Sequence, residues 1–465
     1  MKRVALLLGM TAAAVSGCTV GPDYQRPELP VAPVFRAPVS GELIVQDSGW
    51  WREFDDPVLD RLIERSLTEN LDLAQAVARV TQARAAAAAA GAARLPAIEG
   101  TGSATGTRQS LEGPLGNVIS RFPGFDRNGT QFEAGVGASW EVDLFGGLQR
   151  GTEAARAELL ASEANVLAAR QLIAAEVADA YILLRAAQAR SAIATEREQD
   201  DRRLRDLVVV TVRAGVAPRR ELDLAEAQLQ DSQSTLPALR LVAEVQLNRI
   251  AVLSGQTPQS ERSDLEQPMP LPQGDNVALG LPADLLRNRP DVIAAEARLM
   301  AANARIGQAM SERYPKFSLR ALLGLQSLDL GALPSGGALA GSAVFGLRWR
   351  LFDFGRIDAE IAVARGREAE LLAAYRLAVL RAAEDVENAA AASRERSSQL
   401  AGITASVESL EQSISALKAA YRAGTVSLID VLGAQRQLSA ARDAEADLTA
   451  ELSRTSVAIA RAVGA

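Results

Sequence analysis

Residues 131–142 of the chain read QFEAGVGASWEV, and apolar and polar side chains alternate throughout this stretch. Phe132 and Trp140 occupy apolar positions, whereas Glu133 and Glu141 occupy polar ones. A period of two residues predicts a β-strand with one apolar and one polar face. The other elements of the chain can be placed relative to this strand.

The same alternation returns in residues 343–351, which read AVFGLRWRL and carry Arg348 and Arg350 at polar positions. Partner strands are expected at 317–325 and, less clearly, at 98–107, where Gly, Thr and Ser predominate. Strands of about 10–13 residues are long enough to cross a bilayer when tilted. The sequence therefore predicts two β-hairpins, which span about 97–143 and about 316–352.

The two hairpins belong to an internal duplication. Pro96 and Pro315 are 219 residues apart, whereas Trp140 and Trp349 are 209 residues apart. One insertion of ten residues into a loop of the first copy explains the change in separation. The sequence therefore predicts a first repeat at 57–255 and a second repeat at 282–465, joined by a Pro-rich linker at 256–281.

Helices account for the rest of each repeat. Residues 152–214 contain neither Gly nor Pro, and these 63 residues would form about 95 Å of helix. Within them an apolar residue recurs every seven positions, which is typical of coiled-coil packing. Gly215 and Gly424 are expected to end the long helices. Each repeat thus reads helix, β-hairpin, long helix, tight turn and helix, and the first helix is expected at 57–94.

Four strands cannot close on themselves, because small barrels need about eight. Unpaired edges in lipid would cost several kcal/mol for each backbone group without a partner. The strands of several chains are therefore expected to share one barrel whose apolar face meets lipid. The candidates to line its aqueous lumen are Glu133, Glu141, Arg348 and Arg350. A soluble β-sandwich is the alternative that the strand pattern leaves open.

The composition excludes several classes of function. The 465 residues include 50 Lys and Arg against 57 Asp and Glu, a formal net charge of −7, which argues against a nucleic-acid partner. Histidine is absent, which excludes Ser-His-Asp and Cys-His catalysis and imidazole metal sites. Cys18 is the only cysteine, which excludes an internal disulfide and a cysteine-cluster metal site. We therefore expect neither an enzyme nor a bound cofactor.

The first residues predict an export signal and a lipid anchor. Two basic residues precede an apolar run at 4–15, which is too short to span a bilayer, so residues 1–17 are predicted to be a cleaved signal peptide. The sequence Val-Ser-Gly-Cys, ending at Cys18, resembles a bacterial lipobox, in which the Cys is acylated. An ordinary secretory signal is the alternative. Residues 18–56 are rich in Pro and are expected to form an N-terminal tether.

Five short motifs follow one another along the mature chain. They are GPDY at 21–24, WWREF at 50–54, DPVL at 56–59, NLDL at 70–73 and LRNRPDV at 286–292. In order and spacing they resemble the TolC-type outer-membrane efflux channels, in the lipidated OprM/NodT-like branch of outer-membrane factor lipoproteins. The resemblance covers nearly the whole mature chain.

This resemblance implies a fold that is mainly α-helical with a membrane β-barrel portion. A homotrimer would form a 12-stranded β-barrel in the outer membrane and a long α-helical barrel through the periplasm. The protein would be the passive exit duct of a tripartite efflux system for antibiotics, other drugs or other small solutes. Its partners would be outer-membrane lipid, a periplasmic adaptor (membrane fusion) protein and an inner-membrane pump, commonly of the resistance-nodulation-division class.

The resemblance also assigns the two tight turns to the periplasmic entrance, where such channels close. The candidate gate residues are Arg219, Arg220 and Glu221 in the first repeat, and Tyr421, Arg422, Leu428, Ile429, Asp430 and Arg436 in the second. The family often has an acid where this chain has Gly433, so Asp430, one turn earlier, is the candidate acidic group. The alternative is that these charges only solvate and cap the two turns, and the sequence leaves both interpretations open.

Two further alternatives concern function. Within the channel class, the protein could be the exit duct of a type I protein-secretion system or of a metal-cation efflux system. In a different class, it could be a non-conducting structural coiled-coil lipoprotein of the periplasm. The duplicated alternating strands argue against this spacer, because a spacer needs no barrel. The transported substrate does not follow from the sequence, since in this architecture selection belongs largely to the pump.

Overall fold

A computed structural model describes residues 19–28, 49–119, 121–124, 126–260, 263–272 and 286–464 of the chain. Cys18, the predicted signal peptide, residues 29–48 of the predicted tether, and residues 261–262 and 273–281 of the predicted linker lie outside these ranges. The described part is mainly α-helical and contains one four-stranded β-sheet. No helix in these ranges combines the length and the apolar character that crossing a membrane requires.

The elements repeat in the same order along the chain. The first repeat contains α1 (Pro57–Glu69), α2 (Leu71–Ala92), β1 (Ala97–Arg108), the short α3 (Pro114–Ile119), β2 (Asn128–Val142), α4 (Gly147–Arg213) and α5 (Arg219–Leu253). A short helix, α6 (Ser263–Glu266), follows. The second repeat contains α7 (Pro290–Ser311), β3 (Lys316–Ser327), β4 (Leu339–Arg348), α8 (Arg356–Arg422) and α9 (Leu428–Val463). The long helices α4 and α8 each have 67 residues.

The single helix predicted at 57–94 is instead two helices, α1 and α2, which are separated at Asn70. The backbone of Asn70 is extended, with φ −65° and ψ 129°. Its Oδ1 accepts hydrogen bonds from the backbone N–H groups of Asp72 (2.9 Å) and Leu73 (3.0 Å). An Asn side chain in this position satisfies N–H groups that the first turn of a helix leaves without partners. The apolar period continues across the break, so it does not reveal the break.

The sheet has the strand order β1-β2-β3-β4, and each neighbouring pair is antiparallel. Ala97 lies opposite Ser139 in the first hairpin, and Lys316 lies opposite Arg348 in the second. Lys316 follows Ala97 by 219 residues, and Arg348 follows Ser139 by 209 residues. The two hairpins therefore have the same register, and the duplication is present in the strand pairing itself.

The two hairpins differ in the loop at their tips. Residues 109–127 connect β1 to β2 and include the short helix α3. The equivalent residues of the second repeat are 328–336. The first loop is thus ten residues longer, and the insertion that changes the separation lies within it.

The chain divides into two compact units, and each unit draws on both repeats. The first unit comprises the described parts of 1–27 together with 80–161 and 295–374, and it contains the whole sheet. The second unit comprises the described parts of 28–79, 162–294 and 375–465. The repeats therefore do not correspond to separate compact bodies.

The core of the second unit surrounds a buried polar group. Tyr181 is fully buried, and its hydroxyl donates a hydrogen bond to Asp56 Oδ2 at 2.6 Å. Burial, together with this bond, raises the pKa of Tyr181 well above its ordinary value. The Arg185 guanidinium lies 4.8 Å from the centre of the Tyr181 ring, a cation–π contact. Asp56 also accepts a bond from the Val58 N–H (2.8 Å) and so caps the start of α1.

Candidate lumen, gate and anchor residues

Three of the four candidate lumen residues lie on one face of the sheet. Residues directly opposite in antiparallel strands point to the same face, and along a strand that face recurs every second residue. The relevant pairs are Glu133 with Gln326, Glu141 with Ser318, and Arg348 with Lys316. The Gln326 amide donates a hydrogen bond to Glu133 Oε1 at 3.0 Å. The register therefore brings Glu133, Glu141 and Arg348 to one polar face.

The same face carries three more charged residues that the sequence analysis did not single out. Glu99 lies opposite Gly137, Arg320 lies opposite Ser139, and Lys316 lies opposite Arg348. The positions of Lys316 and Arg320 on the polar face follow from the sequence, since both residues alternate with apolar residues along the strand. The strand that contains Glu99 is rich in Gly and Thr, so its two faces are hard to tell apart without the register.

The opposite face carries mainly apolar and small residues, and its polar residues, Arg108, Asn128, Thr130 and Ser327, lie near the hairpin tips. The rings of Phe317 and Phe345 stack with their centres 5.7 Å apart. At the base of each hairpin the indole of a Trp donates a hydrogen bond to a backbone carbonyl. Trp140 Nε1 bonds to Arg94 at 2.9 Å, and Trp349 Nε1 bonds to Arg313 at 3.0 Å. The sheet thus has the two-faced character that the sequence predicts.

Arg350 lies beyond the end of β4, because the pairing of β3 with β4 stops at Arg348. Its guanidinium is 2.8 Å from Glu312 Oε2 and 3.4 Å from Glu360 Oε1. Glu312 directly follows the end of α7, and Glu360 belongs to α8. In the single chain Arg350 is therefore held by these two carboxylates rather than by a neighbouring strand.

The turn of the first repeat places its candidate gate residues at the start of α5. Gly215 has φ +71°, a conformation that favours Gly and ends α4. Arg219 and Arg220 are exposed, and Arg219 Nε is 3.4 Å from Asp223 Oδ1. The side chains of Arg220 and Glu221 make no hydrogen bond or ion pair within the described ranges. This turn has no side-chain cap, because its N-cap residue is Pro218.

The turn of the second repeat is capped by Asp430. Ser427 Oγ accepts a hydrogen bond from the Asp430 N–H (3.3 Å), and Asp430 Oδ2 accepts bonds from the Ser427 hydroxyl (2.6 Å) and N–H (3.0 Å). This is a capping box, which satisfies backbone donors at the start of a helix. The hydrogen bonds from Ser427 lower the pKa of Asp430 below its ordinary value. The capping interpretation is therefore satisfied for Asp430, and its charge remains exposed to solvent.

The other candidates of the second repeat are spread around this turn. Tyr421 and Arg422 form the end of α8, and Leu428 and Ile429 begin α9, where the Ile429 side chain is exposed. Arg436 lies about two turns further along α9 and is also exposed. Among the described residues, no ion pair joins Glu221 or Asp430 to any of the candidate arginines.

Arg436 instead acts on a buried acid that the sequence analysis did not identify. Asp201 of α4 is buried, and burial raises its pKa, while the charges of Arg197 and Arg436 act in the opposite direction. Arg197 Nε is 3.8 Å from Asp201 Oδ2. Nothing in the local sequence distinguishes Asp201 from the neighbouring Asp200, which is only half-buried, because burial here depends on which helix faces meet.

A second set of contacts holds α4 to α9 in the same unit. Arg190 binds Asp443 with two parallel hydrogen bonds, Nε–Oδ1 at 2.8 Å and Nη2–Oδ2 at 2.9 Å. Its Nη1 also bonds to Asp447 Oδ1 at 2.7 Å. Bidentate guanidinium–carboxylate pairs are geometrically specific. They fix the register of the two helices that begin and end at the candidate gate.

The residues that follow Cys18 lie against the first unit. The Val20 N–H donates a hydrogen bond to the Phe145 carbonyl at 3.2 Å. Arg150 Nη2 is 2.7 Å from Asp23 Oδ1 and 3.3 Å from the Gly21 carbonyl. Gly21 has φ +105°, and a Cβ there would lie 2.3 Å from Gly307 Cα, so only Gly fits. The start of the described chain is therefore fixed beside the junction of β2 and α4.

The sequence matches the model of a family described as outer membrane efflux protein over residues 62–256 and 281–465. The chain is 31% identical over 464 residues to nodulation protein T of Rhizobium leguminosarum bv. viciae, covering 98% of this chain and 92% of that protein. It is 30% identical over 458 residues to cation efflux system protein CusC of Escherichia coli (strain K12), covering 96% of both chains.

The fold is similar to that of a solved structure, the outer-membrane channel OprN. The two superpose with a TM-score of 0.86 at 32% sequence identity, covering 96% of this chain and 99% of OprN. The predicted resemblance to this group of channels is confirmed.

Proposed function

Because the chain belongs to the outer membrane efflux protein family, we propose that three copies of it complete one β-barrel. The chain is the outer-membrane channel of a tripartite efflux system and extends into the periplasm; it is not an enzyme. The observation that carries the proposed trimer is the two-faced sheet, in which β1 and β4 each have one neighbour among the described strands. Three chains with four strands each supply a 12-stranded barrel, in which no strand edge meets lipid.

The mass of the detergent-solubilised protein tests this assembly directly. We expect about three times the 49.1 kDa of one chain, less the signal peptide. In planar bilayers the same preparation should show discrete conductance steps. A folded monomer would contradict the barrel, and a trimer that never conducts would favour the structural coiled-coil lipoprotein.

Within this barrel, Glu133, Glu141 and Arg348 would face the aqueous lumen, and Arg350 would lie at its periplasmic rim. Their shared polar face supports this assignment, since the opposite face carries Phe317, Phe345 and Trp140. Exposed apolar side chains of this size are favourable in lipid and unfavourable in a water-filled pore. Reversal of the Glu133 charge in Glu133→Lys should therefore shift ion selectivity towards anions while leaving the trimer intact.

We propose that the two helix turns form the periplasmic gate. A threefold axis would bring three copies of Glu221 and of Asp430 close together, where like charges repel. Arg220 and Arg422 are exposed and have no acid partner in their own chain among the described residues. In the closed channel these arginines would neutralise Glu221 and Asp430 of the partner subunit, and such pairs would hold the entrance shut.

Removal of one acid should therefore open the channel. We expect Asp430→Ala to raise the resting conductance in planar bilayers, and Glu221→Ala to add to it. High salt should mimic the two variants weakly, because screening acts first on exposed ion pairs. Ser427→Ala is the matched control, since it removes the helix cap but keeps the Asp430 charge.

The control separates the two interpretations of Asp430. A rise in conductance with Asp430→Ala but not with Ser427→Ala supports a charge-based gate. Equal rises in both variants would assign the effect to the capping box alone. If the Glu221 and Asp430 double variant conducts like the parent at low and high salt, these acids do not gate the channel.

Channels of this family work with a periplasmic adaptor and an inner-membrane pump. For this chain we propose a pump of the resistance-nodulation-division class, on the strength of the lipidated-branch motifs between residues 21 and 73. Deletion of the gene should lower resistance to the substrates of such a pump, and cross-linking in cells should capture its adaptor. Capture of a type I secretion adaptor would overturn the assignment.

We also propose that Cys18 carries the lipid anchor. The contacts of residues 20–23 with Phe145 and Arg150 support it, because they hold the following segment beside a strand that would enter the membrane. Labelled palmitate should be incorporated into the parent and into Thr19→Ala, but not into Cys18→Ser. Persistent labelling of Cys18→Ser would reject the assignment.

A further inference from the structure

Because of the internal duplication, the two edge strands of the sheet, β1 and β4, are equivalent to two strands that pair inside it, β3 and β2. Within the chain, β2 of the first hairpin pairs with β3 of the second hairpin. The equivalent of β2 is β4, and the equivalent of β3 is β1. The edges formed by β4 and β1 are therefore the two halves of a second junction of the same kind.

The end of β2 differs from the end of β4 in a way that fits a missing neighbour. Residues 140–142 of β2 pair with β3 but not with β1. Their equivalents are residues 349–351, which follow the observed end of β4 at Arg348. Because β2 extends over these positions only where β3 is present, β4 would extend over residues 349–351 if it had an equivalent neighbour.

Side-chain exposure points to the same missing neighbour. The ring of Phe145 stacks on Tyr314 with ring centres 4.6 Å apart. The equivalent of Phe145 is Phe354, which is fully exposed, and the equivalent of Tyr314 is Leu95, which is 66% exposed. A contact that joins the first repeat to the second within the chain thus has both of its equivalents uncovered.

We propose that β4 pairs with β1 of the partner subunit in the register that β2 and β3 show within the chain. This inference rests on the proposed trimer and specifies how its subunits join. The observed pair Ser139–Arg320 becomes Arg348 with Thr101 of the partner subunit, through the separations of 209 and 219 residues. In the same way Glu141–Ser318 becomes Arg350 with Glu99 of the partner subunit.

The chemistry of the two edges fits this register. On the polar face, Arg350 meets a carboxylate, and opposite charges directly across two strands are favourable. On the apolar face the large side chains of β4 meet small residues of β1. The resulting pairs are Phe345 with Ala104, Leu347 with Gly102 and Trp349 with Gly100 of the partner subunit. A shift by one residue would exchange the polar and apolar faces of one strand, so the register is strongly specified.

Cysteine cross-linking tests this register with a control inside the chain. Paired residues in antiparallel strands have Cα atoms about 4.5–5.5 Å apart, which suits a disulfide. We expect Thr101→Cys with Arg348→Cys to give covalent species at about two and three times the monomer mass on oxidation. Ser139→Cys with Arg320→Cys, the equivalent observed pair, should cross-link within the monomer. The parent, which retains only Cys18, should give no cross-linked species.

Pairs that are out of register by two residues complete the test. Ser103→Cys or Glu99→Cys combined with Arg348→Cys keeps both thiols on the same face, but each should cross-link several-fold less than the proposed pair. Preferred cross-linking of either pair would overturn the register while leaving the trimer standing. A monomeric mass for all variants, with no cross-link between chains, would instead contradict the trimer itself.

A charge swap provides a second measurement of the same junction. Glu99→Arg should lower the temperature at which the trimer dissociates in detergent, because it would face Arg350. Arg350→Glu alone is the reference, because it also breaks the ion pairs with Glu312 and Glu360 in its own chain. The double variant should dissociate at a higher temperature than the two separate losses predict when they are added. Losses that simply add would show that these residues do not face each other.

Discussion

The two repeats use different side chains at one equivalent contact between helices. We call this contact the helix joint: a side chain just before the start of one helix donates a hydrogen bond to a backbone carbonyl near the end of another. In the first repeat Asn70 Nδ2 donates a hydrogen bond to the Leu253 carbonyl at 2.8 Å. In the second repeat the equivalent residue, Arg289, donates from Nη1 to the Ala462 carbonyl at 2.9 Å. Ala462 is itself the equivalent of Leu253, 209 residues later. The same pair of positions is therefore joined by a neutral amide in one repeat and by a guanidinium in the other.

The Arg289 joint of the second repeat includes two carboxylates as ion-pair partners, whereas the Asn70 joint of the first repeat involves no charged group among the described residues. Arg289 Nη2 is 2.8 Å from Asp291 Oδ2 and 3.0 Å from Asp385 Oδ2. Burial alone would lower the pKa of Arg289, but the hydrogen bonds to Asp291 and Asp385 outweigh burial, so the pKa is raised. After duplication, tertiary geometry can thus be kept while the residues that maintain it change. Each repeat must then be disrupted by a different substitution.

The largest expected effect is at the Arg289 joint. Arg289→Ala should lower the stability of the helical region by about 3 kcal/mol, because it leaves two carboxylates and a buried carbonyl without their partner. Urea unfolding followed by circular dichroism measures the change. Arg287→Ala, at an exposed position two residues away, is the control and should change little. Equal small changes in both variants would show that Arg289 is not essential to the joint.

The Asn70 joint should cost less to break. Asn70→Ala should lower stability by about 2 kcal/mol, because it removes a helix cap and the donor to the Leu253 carbonyl. The same urea experiment applies, with Glu69→Ala as the exposed neighbour. If Asn70→Ala proves more damaging than Arg289→Ala, the ordering of the two joints is wrong.

The two turns provide a smaller contrast. Ser427→Ala should cost about 1 kcal/mol, because it removes the cap of α9. The equivalent residue of the first repeat is Pro218, and Pro218→Ser would create the sequence Ser-x-x-Glu with Glu221, the pattern of a capping box. We expect Pro218→Ser to leave stability unchanged or raise it slightly. A clear loss would mean that the Pro itself is needed at this turn.

The smallest effect is a pH response that differs in sign between the repeats. The pKa of Asp430 is lowered, so its stabilising contribution is present above the ordinary pKa of Asp and is lost as the pH falls through the lowered value. The pKa of Asp201 is raised, so its destabilising charge is present at neutral pH and is removed as the pH falls through the raised value. The equivalent of Asp201 is Leu410, so only the first repeat has this acid.

Asp201→Asn isolates the second response. The difference in thermal midpoint between Asp201→Asn and the parent should shrink as the pH is lowered from 7 towards about 4, because protonated Asp resembles Asn. Asp200→Asn, at the adjacent position, serves as the control. A difference that does not depend on pH would place its cause outside the ionisation of Asp201.

The sequence predicts most of this fold because its periodic signals are strong. Alternation places Glu133, Glu141 and Arg348 on one face, and most of α4 (Gly147–Arg213) follows from the absence of Gly and Pro over 152–214. Contacts between distant segments carry no such signal. The break at Asn70, the burial of Asp201 and the Arg190–Asp443 pair all depend on which helix faces meet. The alternation predicts that the last strand continues to residue 351, whereas β4 ends at Arg348, because it pairs with β3 alone.

The unequal hairpin loops have a practical consequence. The loop at 109–127 has gained ten residues without a change in the register of the strands that it connects. A loop tip that has already accepted an insertion is a good site for inserting a peptide. In the proposed trimer three long loops alternate with three short ones, so a large ligand would meet a threefold rather than a sixfold rim. An epitope tag inserted in this loop should be bound by antibody on intact cells, whereas a tag in the turn at Gly215 should be bound only after the outer membrane is permeabilised.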